Sequence, residues 1–370
     1  MTNLGSPIQG VTLYSFTRAF HAREHDLEGL IRRVAADGMG PGLEVIGFSS
    51  FRGFPHVDDA FADWFQGLVA ETGLVLTSCA VNTDVGIRRD RLLTDDELIA
   101  YMEQQIEAAA KLGFPLARVQ ISLTPDSMEK LLPVAERLGV TLAIEVHAHH
   151  HSQHDLVQAL VERYEKLGSP LLGFVADWGT TTTGLAPSMV EAYHRRGASP
   201  EFLADAAALW NQYYQEGPPM NDASHGGRFG AFIELAARHG SPELGVDLAI
   251  NATGLFGPAR VESWRDLMPW VRHCHGKFFG IDDSGEEPSV PVRDLVALLV
   301  DSGYNGAISS EYEGWHWNYW DDAFEIIAGE QALQRDAATS AGSSMVVDTA
   351  QARAQLHDHF GRTLSTSHSP

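Results

Sequence analysis

Four short, strand-like runs in the second half of the sequence end in side chains that can bind a metal ion. These side chains are Glu145, Asp177, His275 and Glu311. If the runs are neighbouring parallel strands, the four side chains converge at one end of a sheet, where unpaired buried charge is costly. A single carboxylate there is usually a salt-bridged or solvated strand end, but three carboxylates around one imidazole favour a divalent cation. This oxygen-rich set suits Mn²⁺, Mg²⁺ or Co²⁺ better than thiolate-seeking zinc.

Several neighbours of these residues lie on the same side of the predicted sheet, because side chains two apart on a strand face the same way. His147 accompanies Glu145, while His273 and Lys277 flank the histidine of the seventh run. We predict that His147 is a general base, with a packed or water-exposed histidine as the alternative. We predict Lys277 and Glu311 as further catalytic groups and His273 as a substrate contact.

Two other features are candidates for substrate binding. Glu44, in the second strand-like run, either bonds a sugar hydroxyl or satisfies backbone groups at the mouth of the fold. Five aromatic or imidazole side chains follow the last run within six residues: Trp315, His316, Trp317, Tyr319 and Trp320. Aromatic residues are usually core, but this density indicates a stacking wall, so we expect Trp315, His316 and Trp317 to contact substrate.

A second group of histidines follows His147 directly. Its members are His149, His150, His151 and His154. Because a loop histidine is commonly only solvated, we interpret most of them as residues without a role.

Eight strand-like runs alternate with longer amphipathic stretches, which indicates parallel βαβ units. The runs are residues 11–15, 43–46, 74–81, 118–122, 141–147, 172–177, 273–280 and 307–311. Glycines close five of the predicted helices just before the next strand, where a left-handed conformation ends a helix. The pattern predicts an α/β protein with a (β/α)8 TIM barrel. An open doubly wound sheet is the alternative, but the glycine-rich stretch 38–42 precedes a strand and is therefore not a dinucleotide site.

The alternation of strands and helices breaks in two places. Residues 180–251 exceed a normal loop and helix, which predicts an insertion after strand six over the active-site mouth. We assign residues 1–330 to the barrel and residues 331–370 to a C-terminal tail or helix.

Composition excludes several classes of function. The formal net charge of −23 argues against nucleic-acid binding, which needs clustered Lys and Arg. No apolar run reaches the roughly 18 residues of a membrane span, and no secretory signal is visible. Cys79 and Cys274 are too few for a disulfide framework, so we expect a cytoplasmic protein with reduced thiols. The acidity either keeps the protein soluble or suits a basic partner subunit.

The order of the strand-end motifs resembles the sugar isomerase/epimerase superfamily of xylose isomerase-like barrels. The motifs are Glu-x-His, Asp, His-x-Lys and Glu on strands five to eight, with Gly-Leu-Glu-Val on strand two, and the resemblance covers most of residues 9–328. A DNA-repair branch of this superfamily has a second metal-binding histidine three residues after the strand-six aspartate. This chain has Thr180 there, which disfavours a multi-zinc phosphodiesterase and favours a mononuclear site.

Three segments resemble more closely the alpha subunits of bacterial C-glycoside deglycosidases: residues 6–15, 176–181 and 310–314. The resemblance implies cleavage of the C–C bond between a 3-oxo-glucosyl group and an aromatic aglycone. It also implies one divalent metal, usually manganese, and a smaller beta subunit. On such a substrate the C3 ketone acidifies the C2 proton, and we expect His147 to remove it.

Two other functions remain open. A ketose epimerase or sugar isomerase could use the same metal site, with Glu145 and Glu311 as acid–base groups on a small free sugar. A non-catalytic sugar-binding or assembly subunit is the third possibility. Activity on free ketoses would indicate the second function, and unchanged ligand binding after metal removal would indicate the third.

Overall fold

Eight parallel strands form a closed barrel in the computed structural model, which describes residues 4–361. The strands are β1 (Ile8–Thr12), β2 (Gly42–Ile46), β3 (Val75–Ala80), β4 (Leu116–Val119), β5 (Thr141–Val146), β6 (Leu172–Asp177), β7 (Val271–Phe278) and β8 (Ala307–Tyr312). Each strand pairs with the next in sequence, and β8 pairs with β1 to close the ring. The predicted (β/α)8 fold class is therefore confirmed.

Helices follow each strand and cover the outside of the barrel. They are α1 (Thr17–His21), α2 (Leu27–Ala36), α3 (Gly47–Ser50), α4 (Asp59–Glu71), α5 (Asp95–Lys111), α6 (Pro125–Leu138), α7 (Asp155–Leu167), α8 (Pro187–Arg195), α9 (Pro200–Glu216), α10 (Asp222–Arg238), α11 (Pro242–Gly254), α12 (Val292–Asp301), α13 (Ala323–Ser340) and α14 (Thr349–Phe360). Thr94 and Glu97 form the capping box that begins α5, and Gly139 ends α6 in the left-handed conformation. None of the helices described is long and apolar enough to cross a bilayer.

The first strand begins and ends three residues earlier than its pattern predicted. It covers Ile8–Thr12, whereas the β-branched and aromatic run suggested residues 11–15. The chain turns into a short 3-10 helix after Thr12 because Ser15 is held by β8. Its hydroxyl donates to the Ser310 carbonyl (3.1 Å) and accepts from the Tyr312 amide (2.9 Å). Alternation along one segment cannot reveal such a contact with a strand almost 300 residues away.

The fourth strand is also displaced, to Leu116–Val119 instead of residues 118–122. The chain leaves the sheet at Gln120, whose side-chain oxygen accepts a hydrogen bond from the Thr83 amide (2.8 Å). As a result Arg118 lies within the sheet, in register with Ala80 on β3. A charged residue is thereby held inside the barrel wall.

The C-terminal segment seals the end of the barrel at which the strands begin. Helix α13 continues past residue 330, where the sequence suggested that the barrel ends. Val346 then hydrogen-bonds to Pro7 and Gln9, the residues on either side of Ile8. One apolar cluster joins α14 to the strands: Ile8, Val75, Leu116, Ala143, Val175, Ala307, Val346, Ala352, Leu356 and Phe360. The predicted tail or helix thus includes a packed helix, and residues 362–370 lie outside the described part of the chain.

Four helices, α8 to α11, separate β6 from β7, whereas at most two helices separate the other neighbouring strands. This segment covers the proposed insertion at residues 180–251. It begins at the C-terminal end of β6, where Asp177 lies, and α10 reaches back to the loop after β5. There His149 Nε2 lies 2.9 Å from Oδ1 of Asp222, at the start of α10. The segment therefore contacts a loop that follows one of the chemistry-bearing strands.

Replacing Leu356 with alanine should destabilise the protein by about 2–5 kcal/mol, because it leaves a cavity in the seal between α14 and the strands. Chemical unfolding followed by circular dichroism measures this change. Gln351→Ala, at an exposed position on the same helix, is the control and should have little effect. Equal stability of the two variants would contradict the packing described for α14.

Candidate active site

Ionisable side chains gather at the C-terminal end of the strands. Glu145, Asp177, His275 and Glu311 each offer one ligand atom, and these atoms all lie within 4.8 Å of one another. All four side chains are buried. A register shift between β6 and β7 places Asp177 directly beside His275, and β8 places Glu311 beside Lys277. The structure thus brings together the four residues that the sequence suggested as metal ligands.

His275 is the centre of this group. Its Nδ1 lies 2.5 Å from Glu145 Oε1 and 3.4 Å from Glu311 Oε2, and its Nε2 lies 2.9 Å from Glu44 Oε1. Burial alone would lower the pKa of His275, but the charges of Glu311, Glu44 and Glu145 outweigh it and hold the pKa well above its usual value. Without a metal these carboxylates favour the protonated imidazole, whereas a bound metal requires the neutral form.

Lys277 supplies a second buried positive charge. Its Nζ lies 2.6 Å from Asp177 Oδ2, 3.4 Å from Glu313 Oε2 and 3.7 Å from Glu311 Oε2. Burial would lower the pKa of Lys277, but Asp177, Glu313 and Glu311 outweigh it and keep the pKa well above its usual value. The ammonium group is consequently a hydrogen-bond donor in this setting and a poor proton acceptor.

Arg118 is the third positive charge, and the sequence pattern did not reveal it. Its Nη1 lies 3.4 Å from Glu145 Oε2, and its buried Nε has no hydrogen-bond partner. Burial would raise the pKa of Glu145, but Arg118, His275 and His147 outweigh it and hold the pKa well below its usual value. One arginine in an otherwise apolar strand was the available signal. Glu313, which contacts Lys277, is a second residue of the site that the sequence pattern did not reveal.

Glu44 and His273 lie one layer deeper in the barrel than the ligand group. His273 Nε2 lies 2.7 Å from Glu44 Oε2 and 3.0 Å from the Ser309 hydroxyl, and both residues are fully buried. Glu44 therefore links two histidines that are two residues apart on β7. A carboxylate that fixes the ring of a ligating histidine is a common support for a metal site. The substrate contact that the sequence suggested for both residues stays a prediction.

His147 follows Glu145 at the end of β5 and is only partly buried. Its ring is near enough to lower the pKa of the Glu145 carboxyl. Its Nδ1 lies 2.6 Å from the Ala148 carbonyl oxygen. His147 is therefore less buried than the four residues of the ligand group.

The aromatic stretch after β8 divides into three environments. Trp315 stacks on His316 (4.0 Å between centroids), and the His316 ring contacts the Tyr14 hydroxyl at 3.3 Å. Trp317 is 3% exposed and packs against Phe256 and Phe279, which makes it a core residue. Tyr319 and Trp320 are 64% and 41% exposed. The stretch is therefore not one continuous wall: the residues beside Tyr14 can face a ligand, and Trp317 supports them.

A cavity of about 590 Å³ opens at the other end of the barrel, beside α14. Arg272, Tyr304, Gln355 and His359 are among the residues that line it. The convergent carboxylates are all at the C-terminal end, which in TIM barrels carries the active site. We therefore place the chemistry at the C-terminal end despite the size of this cavity.

The ligand group has the properties that a divalent cation requires. Glu311 Oε2 is buried without a hydrogen-bond partner. Burial, together with the neighbouring negative charges, raises the pKa of Asp177 in spite of Lys277, and that of Glu311 in spite of His275 and Lys277. A cation among the carboxylates would reverse these shifts. Hard oxygen donors with one imidazole can bind a metal ion, and a bound metal can polarise a sugar carbonyl.

Known proteins with similar sequences or folds are consistent with this architecture. The family described as a xylose isomerase-like TIM barrel matches residues 40–199. The chain is 69% identical to a C-glycoside deglycosidase alpha subunit of Microbacterium trichothecenolyticum, over 96% of this chain and 97% of that protein. It is 50% identical to a 3'-dehydrocarminate deglycosidase alpha subunit of a Microbacterium species, over 90% and 96% of the two chains.

A solved structure of an L-ribulose 3-epimerase shares the fold, with a TM-score of 0.52 and 11% identity over 92% of this chain and 96% of that one. Identity this low shows a common fold alone. Identity of 69% over almost the full length shows membership of a family, and it confirms the resemblance found in the sequence motifs. The chain belongs to the family of C-glycoside deglycosidase alpha subunits and has their xylose isomerase-like TIM barrel.

Proposed function

We propose that this chain is the catalytic subunit of an enzyme that cleaves the C–C glycosidic bond of 3-oxo-C-glucosides. The observation that carries the proposal is the buried group of Glu145, Asp177, His275 and Glu311 at the strand ends. Membership of a deglycosidase family supports C-glycoside cleavage, and the name of one relative refers to a dehydrogenated glycoside. Such a barrel end is a site for metal-assisted chemistry on a sugar.

We assign these four residues as the ligands of one divalent cation, with Mn²⁺ the best fit and Mg²⁺ or Co²⁺ as alternatives. When bound, the cation supplies Lewis-acid stabilisation of negative charge that develops on a ketone oxygen. Glu44 orients His275 through its contact with Nε2 of the ring. Arg118 orients Glu145 through its contact with Oε2. These contacts keep the ligands in place while the substrate changes charge.

His147 is the residue that we assign to removal of the C2 proton. The C3 ketone acidifies this proton because the resulting carbanion is an enolate. The electron pair of the C2–H bond then forms a C1–C2 double bond, and the C1–aryl bond breaks with its electrons on the aryl carbon. A proton returned to that carbon completes the elimination, so no glycosidic oxygen has to be protonated as in ordinary glycosidases.

Lys277 and the residues beside Tyr14 complete the assignment. Because Lys277 stays protonated among Asp177 and Glu313, we assign it as a donor to developing negative charge and not as a base. Trp315 and His316 lie at the mouth with polarisable faces, and we assign them to the planar aglycone. Trp317 would act through the packing of this loop.

A partner subunit is part of the proposal, because relatives of this chain are named alpha subunits. Tyr319 and Trp320 project beside the site with Arg18 and Arg195 over their rings. Exposed aromatic and arginine side chains are enriched in protein interfaces. We place the smaller subunit at this edge of the barrel mouth.

Glu145→Gln and Glu311→Gln should each lower the amount of metal that co-purifies with the protein, because each removes a charged ligand. Elemental analysis of the purified variants measures the metal. Glu330→Gln is the matched control, since Glu330 is buried in α13 outside the ligand group. Undiminished metal in both ligand variants would exclude this assignment.

His147→Gln should keep its metal and lower kcat by about 10²–10⁴-fold, which is the usual contribution of a general base. The assay uses a 3-oxo-C-glucosyl flavonoid, with His56→Gln as the control at an exposed histidine. Near-normal turnover with metal intact would move the base to another residue. Turnover of a free ketohexose, without activity on the aryl glycoside, would favour the epimerase or isomerase alternative.

Co-expression with a small subunit encoded beside this chain should yield one complex on size-exclusion chromatography. Trp320→Ala should weaken that complex, because it removes an exposed aromatic anchor. Phe48→Ala, at another exposed aromatic residue, is the control and should leave the complex intact. Full activity of the isolated chain would contradict the need for a partner.

A further inference from the structure

A second group of potential metal ligands lies outside the barrel centre. It consists of His149, His150 and His154 in the loop after β5 and Asp222 at the start of α10, with all ligand atoms within 4.8 Å of one another. None of these residues belongs to the group around His275. The sequence pattern gave no reason to single these histidines out, because Asp222 is about 70 residues away in the chain.

The distances around Asp222 are those of a small coordination site. Nε2 of His149 lies 2.9 Å from Asp222 Oδ1, and Nε2 of His150 and of His154 each lie 3.8 Å from the same oxygen. Ligand atoms of a tetrahedral site with bonds of about 2.0–2.1 Å are separated by roughly 3.3 Å. The observed separations lie on either side of this value, so small side-chain movements would complete such a site.

A buried ring nitrogen of the cluster lacks a hydrogen-bond partner. Nε2 of His154, the nitrogen that lies 3.8 Å from Asp222 Oδ1, is buried and has no hydrogen-bond partner. A buried polar atom without a partner is costly, and one carboxylate oxygen cannot bond three imidazoles. Aromatic stacking explains the packing of the rings, since His149 and His150 stack at 4.3 Å, but it does not supply a partner for Nε2 of His154.

We propose that His149, His150, His154 and Asp222 form a second metal site, for a zinc-like divalent cation, that ties the loop after β5 to helix α10. Three imidazoles and one carboxylate are a borderline-soft set, unlike the carboxylate-rich group at the barrel centre. Mutual proximity and burial keep the imidazoles neutral, which is the form that binds metal, and burial lowers the pKa of His150 to about 3. The Asp222 side chain is 78% exposed, which leaves an entry path.

His154 is the weakest of the four ligands. Its Nδ1 accepts a long hydrogen bond from the Leu156 amide (3.3 Å) and so caps the first turn of α7. Ligation through Nε2 would place the ring proton on Nδ1 and remove that cap. His149, His150 and Asp222 therefore form the core of the site, and His154 closes it.

A cation here would hold the loop that begins at His147. His149 is two residues from that histidine, and α10 belongs to the four-helix segment between β6 and β7. Binding would cross-link the loop and the segment, and so restrict the position of His147. The metal site itself does not depend on the proposed function, although this consequence for the base does.

The test is equilibrium dialysis of the full-length protein against Zn²⁺, followed by elemental analysis. Wild type should bind one equivalent of Zn²⁺ more than a His149→Gln/His150→Gln variant. Asp222→Asn, at an exposed position that should not disturb folding, should weaken that equivalent by about tenfold or more, since loss of a ligand costs at least as much as loss of a supporting residue. Asp155→Asn is the matched control, because Asp155 is an exposed carboxylate at the first position of α7.

Co²⁺ gives a readout independent of stoichiometry and activity. A tetrahedral site produces strong visible absorption, whereas an oxygen-rich six-coordinate site absorbs weakly. This band should be present in Glu145→Gln, which removes only a barrel-centre ligand, and absent in His149→Gln/His150→Gln. Equal Zn²⁺ binding in wild type and the double-histidine variant, or equal weakening in Asp222→Asn and Asp155→Asn, would overturn the proposal.

Discussion

Five buried carboxylates share a small space at the C-terminal end of the barrel, and their mutual repulsion is the constraint that the surrounding structure has to meet. They are Glu44, Glu145, Asp177, Glu311 and Glu313. Three positive side chains stand among them: Arg118, His275 and Lys277. Negative charge is therefore in excess, and the excess grows when His275 binds a metal as a neutral imidazole. Together with burial, this excess raises the pKa values of Asp177 and Glu311.

The closed barrel is the arrangement that holds such a group together. Because side chains alternate along each strand, His273, His275 and Lys277 of β7 all face the same way, and each contacts at least one of the carboxylates. The register of β7 with β6 and β8 then decides which carboxylate each one meets. A slip of one residue in that register would turn these side chains to the other face of the sheet, so the electrostatics depend on backbone pairing as much as on residue type.

Much of this arrangement could be predicted from the sequence, for a geometric reason. The carboxyl ends of parallel strands meet at one rim, so Glu145, Asp177, His275 and Glu311 could be grouped once the strands were recognised. Arg118 was missed because the predicted start of β4 was two residues late, which placed this residue at the wrong depth. Trp317 was grouped with its neighbours because local density cannot separate a packed indole from an exposed one. The contact between Asp222 and the loop histidines depends on the path of α8 to α11, which no periodicity reveals.

The seal formed by α14 has a consequence for the way in which the chain folds. Strand β1 is made first, yet it pairs with β8, and Val346, which follows α13, hydrogen-bonds to Pro7 and Gln9 on either side of Ile8. Contacts between residues about 300 or more positions apart carry a large loop-closure cost and form late. During synthesis the amino-terminal strand must therefore wait, with one edge unpaired, until nearly the whole polypeptide has left the ribosome. An unpaired edge of this kind can pair with other chains, so we expect dependence on chaperones to be concentrated in the nascent state.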